Sequence, residues 1–445
     1  MQAQWWAGFG AADITPPTGL EMAGFGARYE VAQGTHDPLR VRALALKIGE
    51  AETPLLLLAF DLLGLSQALV SGIKARISGE YGVTPERILL AATHTHAGPA
   101  TLDHELLGNS DKDYLARLPE KALAATRQAI EGFEAVTLHL GSAIAQEAGR
   151  NRNVFNGPTD PVAGVLAARS VKSGQLVGCL VNYTCHPTVL GPDNLLYTAD
   201  YPYYTTRVIA EASGLPVERI VFSQGACGDI NAGHTSKSSF SYGGAGVRTY
   251  QAAERLGGNV GQAAVAALQG QMTELAPMLE VGTRRLKLNW QMEKWPNREA
   301  ALAYGREQQA ALDEAQRKED RPAAKNLSLL AGWAEVMQKK SLTEPWPAPE
   351  MELTAVKLGG LNWIAVSGEL YVEHGLAIKA QAGHPTWILG YTNGDLGYFP
   401  TQEAYDREDY EAALAFRYYG YPAPFEPATG YKIVEAAIGM LNSNQ

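Results

Sequence analysis

The chain has 445 residues, 46% hydrophobic and 19% charged, so it can bury a sizeable core and is not a disordered polymer. Its 37 basic and 47 acidic residues leave a net charge of −10, without the basic block of a nucleic-acid binder. No apolar run approaches the ~20 residues of a membrane-spanning helix, and the opening residues lack the basic character of a signal peptide. Three cysteines, Cys179, Cys185 and Cys227, are too few and odd in number for a disulfide framework. The expected setting is therefore reducing and cytoplasmic, with no stable membrane insertion and no nucleic-acid partner.

Residues 39–48 and 54–61 read as strands, the second a continuous apolar run. Thr84-Pro85-Glu86 has the form of a helix start, Thr as N-cap and Pro at the first helical position. Residues 87–93 (RILLAAT) make a short apolar strand and 111–131 a helix. Residues 176–184 (LVGCLVNYT) and 219–224 (RIVFSQ) are further buried strands, with a helix at 203–212 between them. Apolar strands alternating with helices predict an α/β fold, a mixed central β-sheet with helices on both faces. Residues 247–268 read as a long helix and 279–290 as a half-exposed strand. At 297–340 the composition shifts to Ala, Glu, Gln and Lys around Arg321-Pro322, which predicts a helical hairpin inserted into the α/β body. Two apolar runs in 351–369, joined by Gly359-Gly360, predict a β-hairpin. From Gly390 onward the chain is rich in Gly, Tyr and Pro and is expected to loop over the surface. Residues 1–445 thus read as one domain with a helical excursion at about 295–345.

Two histidines sit in Thr93-His94-Thr95-His96-Ala97-Gly98-Pro99, directly after a buried strand. Residues i and i+2 of an extended chain share a face, so His94 and His96 should leave the strand end side by side. The pair reads either as metal-binding or catalytic, or as a turn cap and a solvated neighbour. His186 repeats the pattern, following strand 176–184 ahead of Pro187. Imidazole nitrogen suits zinc. Cys185 should face the opposite way and pack in the core. In Val366-Ser367-Gly368-Glu369 the carboxylate reads first as a helix N-terminal Glu favoured by the dipole. The tyrosines of 390–401, with Tyr405 and Tyr410, read as packing residues. The glycine-rich segment 222–231 offers backbone N–H groups to an oxyanion, or Cys227 as a nucleophile, although Gly-x-Ser-x-Gly spacing is absent. A metal-free Cys hydrolase using Cys227 and a non-catalytic binding protein with a retained pocket are the alternatives to a metal hydrolase.

Together these segments resemble, in order and spacing, the catalytic domain of the neutral/alkaline ceramidases, which are zinc-dependent N-acylsphingosine amidohydrolases. Gly10-Ala11-Ala12-Asp13-Ile14-Thr15-Pro16 and Met22-Ala23-Gly24-Phe25-Gly26 resemble the family's opening, and residues 93–99 its signature. Asn151-Arg152-Asn153 resembles its Asn-Arg-Ser element, residues 181–188 (VNYTCHPT) its second His segment, and Ser367-Gly368-Glu369 its Gly-Glu segment. Gly397-Tyr398-Phe399-Pro400-Thr401 and Asp409-Tyr410-Glu411 resemble the Tyr pair near its end. The resemblance implies one Zn²⁺ per chain, held by His94, His186, Glu369 and Tyr398, with His96, Arg152 and Tyr410 around the reacting carbonyl. It implies an amidohydrolase acting on N-acylsphingosine or a related small-molecule or lipid-like N-acyl substrate.

Three departures stand out. Asn231 occupies a position where the family carries Ser, residues 297–340 are expected to form an insertion, and the family's leader and C-terminal immunoglobulin-like module are expected to have no counterpart. They bear on substrate more than on metal, and favour a soluble or dispersed amide over ceramide in a bilayer. Trp295, Trp333 and Trp346 around the insertion are expected to pack between its helices rather than to line a pocket mouth.

Overall fold

The computed structural model describes residues 3–102, 108–236, 248–294, 298–339 and 346–443. Its main sheet has nine strands. Eight form a path in the order Ile220–Gln224, Leu176–Tyr183, Val162–Ser170, Glu134–Ile144, Trp5–Asp13, Arg40–Ile48, Leu55–Phe60 and Ile88–Ala92. The ninth, Thr273–Leu275, pairs with Glu134–Ile144. The middle pairings are antiparallel. A parallel pair closes each end, Leu55–Phe60 with Ile88–Ala92 and Leu176–Tyr183 with Ile220–Gln224. Parallel neighbours need a crossover. The helices Gln67–Tyr81 and Tyr201–Ser213 supply the two crossovers.

A second sheet runs Leu279–Lys287, Glu350–Leu358, Leu361–Val366, Thr386–Leu389. The period-2 alternation of strand side chains shows how the layers stack. Leu56, Leu58 and Phe60 share a core with Ile73, Ile77 and Leu118 of the helices Gln67–Tyr81 and Lys112–Glu131. Leu55, Leu57 and Ala59 point the other way, into a core with Val356, Trp363 and Leu389 of the second sheet. A strand buried on both faces reads as an unbroken apolar run. At the other end Cys179, Val181 and Tyr183 meet the helices Tyr201–Ser213 and Tyr250–Gln269. The two sheets thus pack face to face. Helices cover both outer surfaces, Val372–Gln381 and Thr429–Asn442 on the second sheet. The α/β class, the mixed sheet and the presence of helices are as expected, but the central sheet carries helices on one face only, because its other apolar face is covered by the second sheet. Among the described residues no helix is long and apolar enough to cross a membrane.

Two local expectations change. Thr84-Pro85-Glu86 opens only a single 3₁₀ turn, Pro85–Arg87, because the apolar run from Ile88 is drawn at once into the sheet. The segment after Gly390 is not a surface loop: Tyr391, Asn393, Asp395, Phe399, Glu411, Tyr418 and Tyr419 are buried, and it ends in the helix Thr429–Asn442. Gly394 and Gly397 take φ of 130° and 89°, which lets the chain turn tightly while its aromatic rings fill the space over the strand ends. The helical hairpin is present as Arg298–Arg317 and Arg321–Lys339. Trp333 packs against Tyr304 of the first helix and against Phe416, and its ring N–H donates to the Tyr421 carbonyl at 2.7 Å. Trp346 joins the same cluster. Trp295, Asn297 and Lys340 lie outside the described residues.

Trp5–Asp13 sits in the middle of the sheet, yet its sequence WWAGFGAAD carries little strand signal. Its small residues serve contact with the helix Lys112–Glu131. A β-carbon on Gly8 would fall 1.8 Å from the Ala129 carbonyl oxygen, and one on Gly10 would fall 2.2 Å from that of Ala125. Gly8→Ala should therefore lower unfolding stability by about 1–3 kcal/mol, as overpacking does. Gly72→Ala, in an exposed helical position with nothing within 4 Å, should instead raise it by about 0.5–1 kcal/mol. Denaturant midpoints of the two variants would show the opposite signs, and equal midpoints would contradict the packing.

Candidate metal centre and active site

Strand ends from both sheets meet at one rim. Ile88–Ala92 leads into His94 and His96, Leu176–Tyr183 into His186, Leu361–Val366 into Glu369 and Thr386–Leu389 into Tyr391. Hydrogen bonds tie these ends together. Ala92 N donates to Tyr391 O, Thr392 N to Val366 O, and the Gln224 side chain to Thr93 O. His94 and Tyr391 hold φ of 65° and 54°, a region sparsely populated by residues with side chains. The chain therefore leaves the extended conformation at His94 itself. His94 and His96 do face each other, but through this turn and not through strand alternation.

Each of the three imidazoles is oriented by a backbone carbonyl. Nδ1 of His94 lies 2.6 Å from Leu63 O, that of His96 2.8 Å from Gly24 O, and that of His186 2.5 Å from Cys227 O. A carbonyl only accepts, so each Nδ1 carries a hydrogen and each Nε2 is left to face the others. The Nε2 atoms of His94 and His96 are 3.2 Å apart. Glu369 Oε2 lies 3.0 Å from His186 Nε2 and 3.4 Å from His94 Nε2. Lone pairs facing lone pairs at these separations require a positive charge among them. The three histidines form a cluster that could hold a metal ion, and a nitrogen and oxygen donor set of this kind suits zinc. Carbonyl partners on the distal nitrogens are the usual way to fix metal-binding imidazoles.

The electrostatics agree. Burial works to raise the Glu369 carboxyl, but positive charge on or between His94 and His186 outweighs it and holds the carboxyl well below the usual carboxylate range. Burial, with Arg152 nearby, pushes His186 down to about 4, so that ring stays neutral. Glu369 also accepts hydrogen bonds from the Tyr419 hydroxyl and, at 3.2 Å, from Tyr391. It is not a helix-capping carboxylate, for Leu370 and Tyr371 separate it from the helix Val372–Gln381. Its short strand pairs in parallel with Tyr398–Phe399, which sets Tyr398 beside it in register.

Arg152 completes the group. Its Nη2 lies 3.2 Å from the Tyr398 hydroxyl and 2.8 Å from Gly228 O, while Nε donates to Glu411 at 2.6 Å. Burial works to lower Arg152, but Glu411, Tyr398 and Glu369 together outweigh it and keep it charged. The second Glu411 oxygen accepts from Asn153 and Tyr371. Tyr410 stands with its ring 6.2 Å from that of Tyr398. His96, Arg152, Tyr398 and Tyr410 all line one cavity, and His94, His186 and Glu369 are fully buried next to it. The seven residues singled out in the sequence are thus brought together. Glu411, Tyr391, Tyr419 and Asp395 were not assigned roles there. Their only signal is the density of aromatic and acidic residues in a stretch that composition marks as loop.

Segment 222–231 plays a different part from the one expected. The N–H groups of Gly225 and Gly228 donate to the Tyr183 and Leu370 carbonyls, and the segment's own carbonyls orient His186 and Arg152. Cys227 is fully buried, burial pushes its thiol up, and Sγ contacts the Tyr391 hydroxyl at 3.2 Å, which does not make a nucleophile. Cys185 is a core thiol, as expected. Asn231 bonds back to Gly233 and His234, so its amide builds a turn.

A family model described as neutral/alkaline non-lysosomal ceramidase, N-terminal, matches residues 5–230. The chain is similar to the neutral ceramidase of Pseudomonas aeruginosa, 26% identical over 251 residues, which is 50% of this chain and 36% of that protein. Its fold resembles the crystal structure of neutral ceramidase from Pseudomonas aeruginosa, with a TM-score of 0.76 and 19% identity, over 99% of this chain and 74% of that one. A ceramidase complexed with C2 gives a TM-score of 0.74 at 19% identity, over 99% and 75% of the two chains.

The Arg152–Glu411 pair is buried on both sides. Removing one partner strands a charge, which costs about 3–5 kcal/mol, whereas an apolar replacement of both does not. Glu411→Ala should thus lose about that much unfolding stability, and the double variant Arg152→Met, Glu411→Leu should lose clearly less. Equal losses in denaturant titrations would mean that the pair does not act as a unit.

Proposed function

Because the chain belongs to the neutral/alkaline non-lysosomal ceramidase family, we propose that it is a zinc-dependent hydrolase that cleaves the amide bond of an N-acyl substrate. The convergence of bare imidazole nitrogens and a carboxylate oxygen beside a charged arginine carries this proposal. His94, His186, Glu369 and Tyr398 would hold one zinc ion. Zinc bound there supplies a Lewis acid for the carbonyl and lowers the pKa of water. His96 Nε2, left bare by the Nδ1 bond to Gly24 O, accepts the proton of the attacking water and returns it to the leaving nitrogen. Arg152 and Tyr410 face the charge that develops on the carbonyl oxygen, and Glu411 keeps Arg152 cationic as it does so. Water adds across the C–N bond, and a carboxylic acid and an amine leave. A second ligand set has His96 as a third imidazole, because its Nε2 lies within the same cluster.

The Pseudomonas aeruginosa relative is called a neutral ceramidase, and an N-acylsphingosine or related amide is the substrate class we propose here. With a net charge of −10 the protein is repelled by anionic leaflets, so we place the substrate dispersed or in solution. Three free, buried cysteines suit the reducing cytoplasm we propose as its location.

Purified protein should contain about one zinc per chain, and His94→Ala or His186→Ala should strip it. Full zinc content in the double variant, measured by elemental analysis, would remove these ligands from consideration. His96→Ala should keep most of the zinc and lose about 10²–10⁴-fold in turnover, the usual size of an acid–base contribution. Zinc lost in proportion to activity would make His96 a ligand. Detergent-dispersed short-chain N-acyl amides should turn over faster than the same head group in anionic vesicles, and the reverse order would return the chain to membrane substrates.

A further inference from the structure

Buried polar groups are nearly always hydrogen-bonded, so each exception asks for a cause. Among the described residues the buried hydroxyls of Ser78, Thr93, Tyr183, Thr188 and Thr429 have no partner. Of these only Thr188 lines the cavity that His96, Arg152, Tyr398 and Tyr410 also line. Two polar neighbours in the same wall are committed elsewhere. Asn231 turns its amide back on Gly233 and His234, and the Tyr398 hydroxyl accepts from Arg152.

Backbone hydrogen bonds fix where Thr188 stands. It follows His186 by two residues, across Pro187, and its N–H donates to the His186 carbonyl at 2.9 Å. The Pro187 carbonyl in turn accepts from the His96 N–H at 3.5 Å. The segment that carries the hydroxyl is therefore bonded to both the metal-site imidazole and the imidazole assigned to proton transfer. Arg152 is held by other segments, at the Gly228 carbonyl and Glu411. The Thr188 side chain is 6% exposed, so water reaches it only through the cavity.

In the reaction above, the carbonyl oxygen of the substrate goes to Arg152 and Tyr410 and the leaving nitrogen to His96. A secondary amide then has one polar group left, its N–H, which is a donor and is costly to bury unpaired. We propose that the Thr188 hydroxyl oxygen accepts a hydrogen bond from the scissile amide N–H, and so selects secondary amides over esters of the same shape. The proposal rests on the amidohydrolase function above and narrows its substrate class. The bond also orients the nitrogen. Once water has added to the carbonyl carbon, the nitrogen carries a lone pair. With the N–H held at Thr188, that pair turns towards His96, which delivers the proton as the C–N bond breaks. An ester places an oxygen without a hydrogen at the same point, and a site built to pair with an N–H discriminates against the analogue that lacks it.

The test uses the zinc-loaded protein with N-butyloctanamide and butyl octanoate, both dispersed in detergent. Thr188→Val keeps the shape of the side chain and removes the hydroxyl. It should lose about tenfold in kcat/KM on the amide, the size of one neutral hydrogen bond, and clearly less on the ester. Thr188→Ser should restore most of the amide activity, and both variants should keep the zinc content of the wild type. Stability separates this role from a structural one. A hydroxyl without a resident partner leaves the denaturant midpoint unchanged or higher when a methyl replaces it, whereas one bonded within the fold, to a buried water included, lowers it. Equal losses on the two substrates, or no loss on the amide, would overturn the proposal and leave the amidohydrolase function standing, and a lowered midpoint would overturn it too. Cleavage of the ester but not of the amide by the wild type would discard the amidohydrolase function and the proposal with it.

Discussion

Three imidazole nitrogens and a carboxylate oxygen point at one another within about a hydrogen-bond length, and each imidazole has its hydrogen committed elsewhere. Such a set is repulsive unless a positive charge sits among it, and much of the surrounding structure is arranged to hold it in place. The turn at His94 keeps a left-handed backbone at a residue with a side chain. Gly24 comes so near His96 that a β-carbon would lie 2.5 Å from Nδ1. A β-carbon on Gly228 would lie 2.6 Å from the Glu369 carbonyl oxygen. Each is a locally unfavourable or narrowly permitted choice, of the kind that persists where the surroundings over-determine the backbone. Two sheets packed face to face provide that over-determination, because four strand ends must reach the same rim.

The same neighbourhood treats two carboxyls in opposite ways. Glu369 is held well below the usual carboxylate range by positive charge on or between His94 and His186, against its burial. Asp395, whose Oδ2 is 4.0 Å from His94 Nδ1, is pushed up to about 7 by burial and then by Glu369. Burial is the larger cause at Asp395 and the Glu369 charge adds to it, so the two carboxyls are pushed apart. Arg152 receives its own counter-charge from Glu411.

The buried strands 88–92 and 176–183 were legible in the sequence, and so was the point that histidines following them would meet at an edge. These signals are local, an apolar run followed by a polar break. Glu369 and Tyr398 carry no local signal, since a Glu after an apolar run and a Tyr in a Gly-rich loop have ordinary explanations. Only the resemblance across 367–369 and 397–401 singled them out. The burial of the region after Gly390 is not legible in the sequence, because Gly and Pro report backbone turns and say nothing of burial. Phe399 and Tyr419 are covered by contacts from segments distant in the chain. Trp5–Asp13 escaped notice for a related reason, since Gly8 and Gly10 are shaped by the helix above them and not by strand propensity.

The helical hairpin is where the chain shapes access to this chemistry. Trp333 and Arg417 anchor it, the guanidinium lying 5.0 Å from the indole centroid. Asn326 accepts from the Tyr418 hydroxyl at 2.7 Å and lies against Gly26, where a β-carbon would meet its Oδ1 at 2.5 Å. Lys325 and Leu329, on the same helix, then reach the cavity wall. The hairpin's aromatic residues serve its docking, and a cation and one aliphatic side chain reach the cavity. The cavity wall and the histidine cluster thus draw on segments far apart in sequence, the hairpin at 298–339 and the strand ends at 88–92 and 176–183.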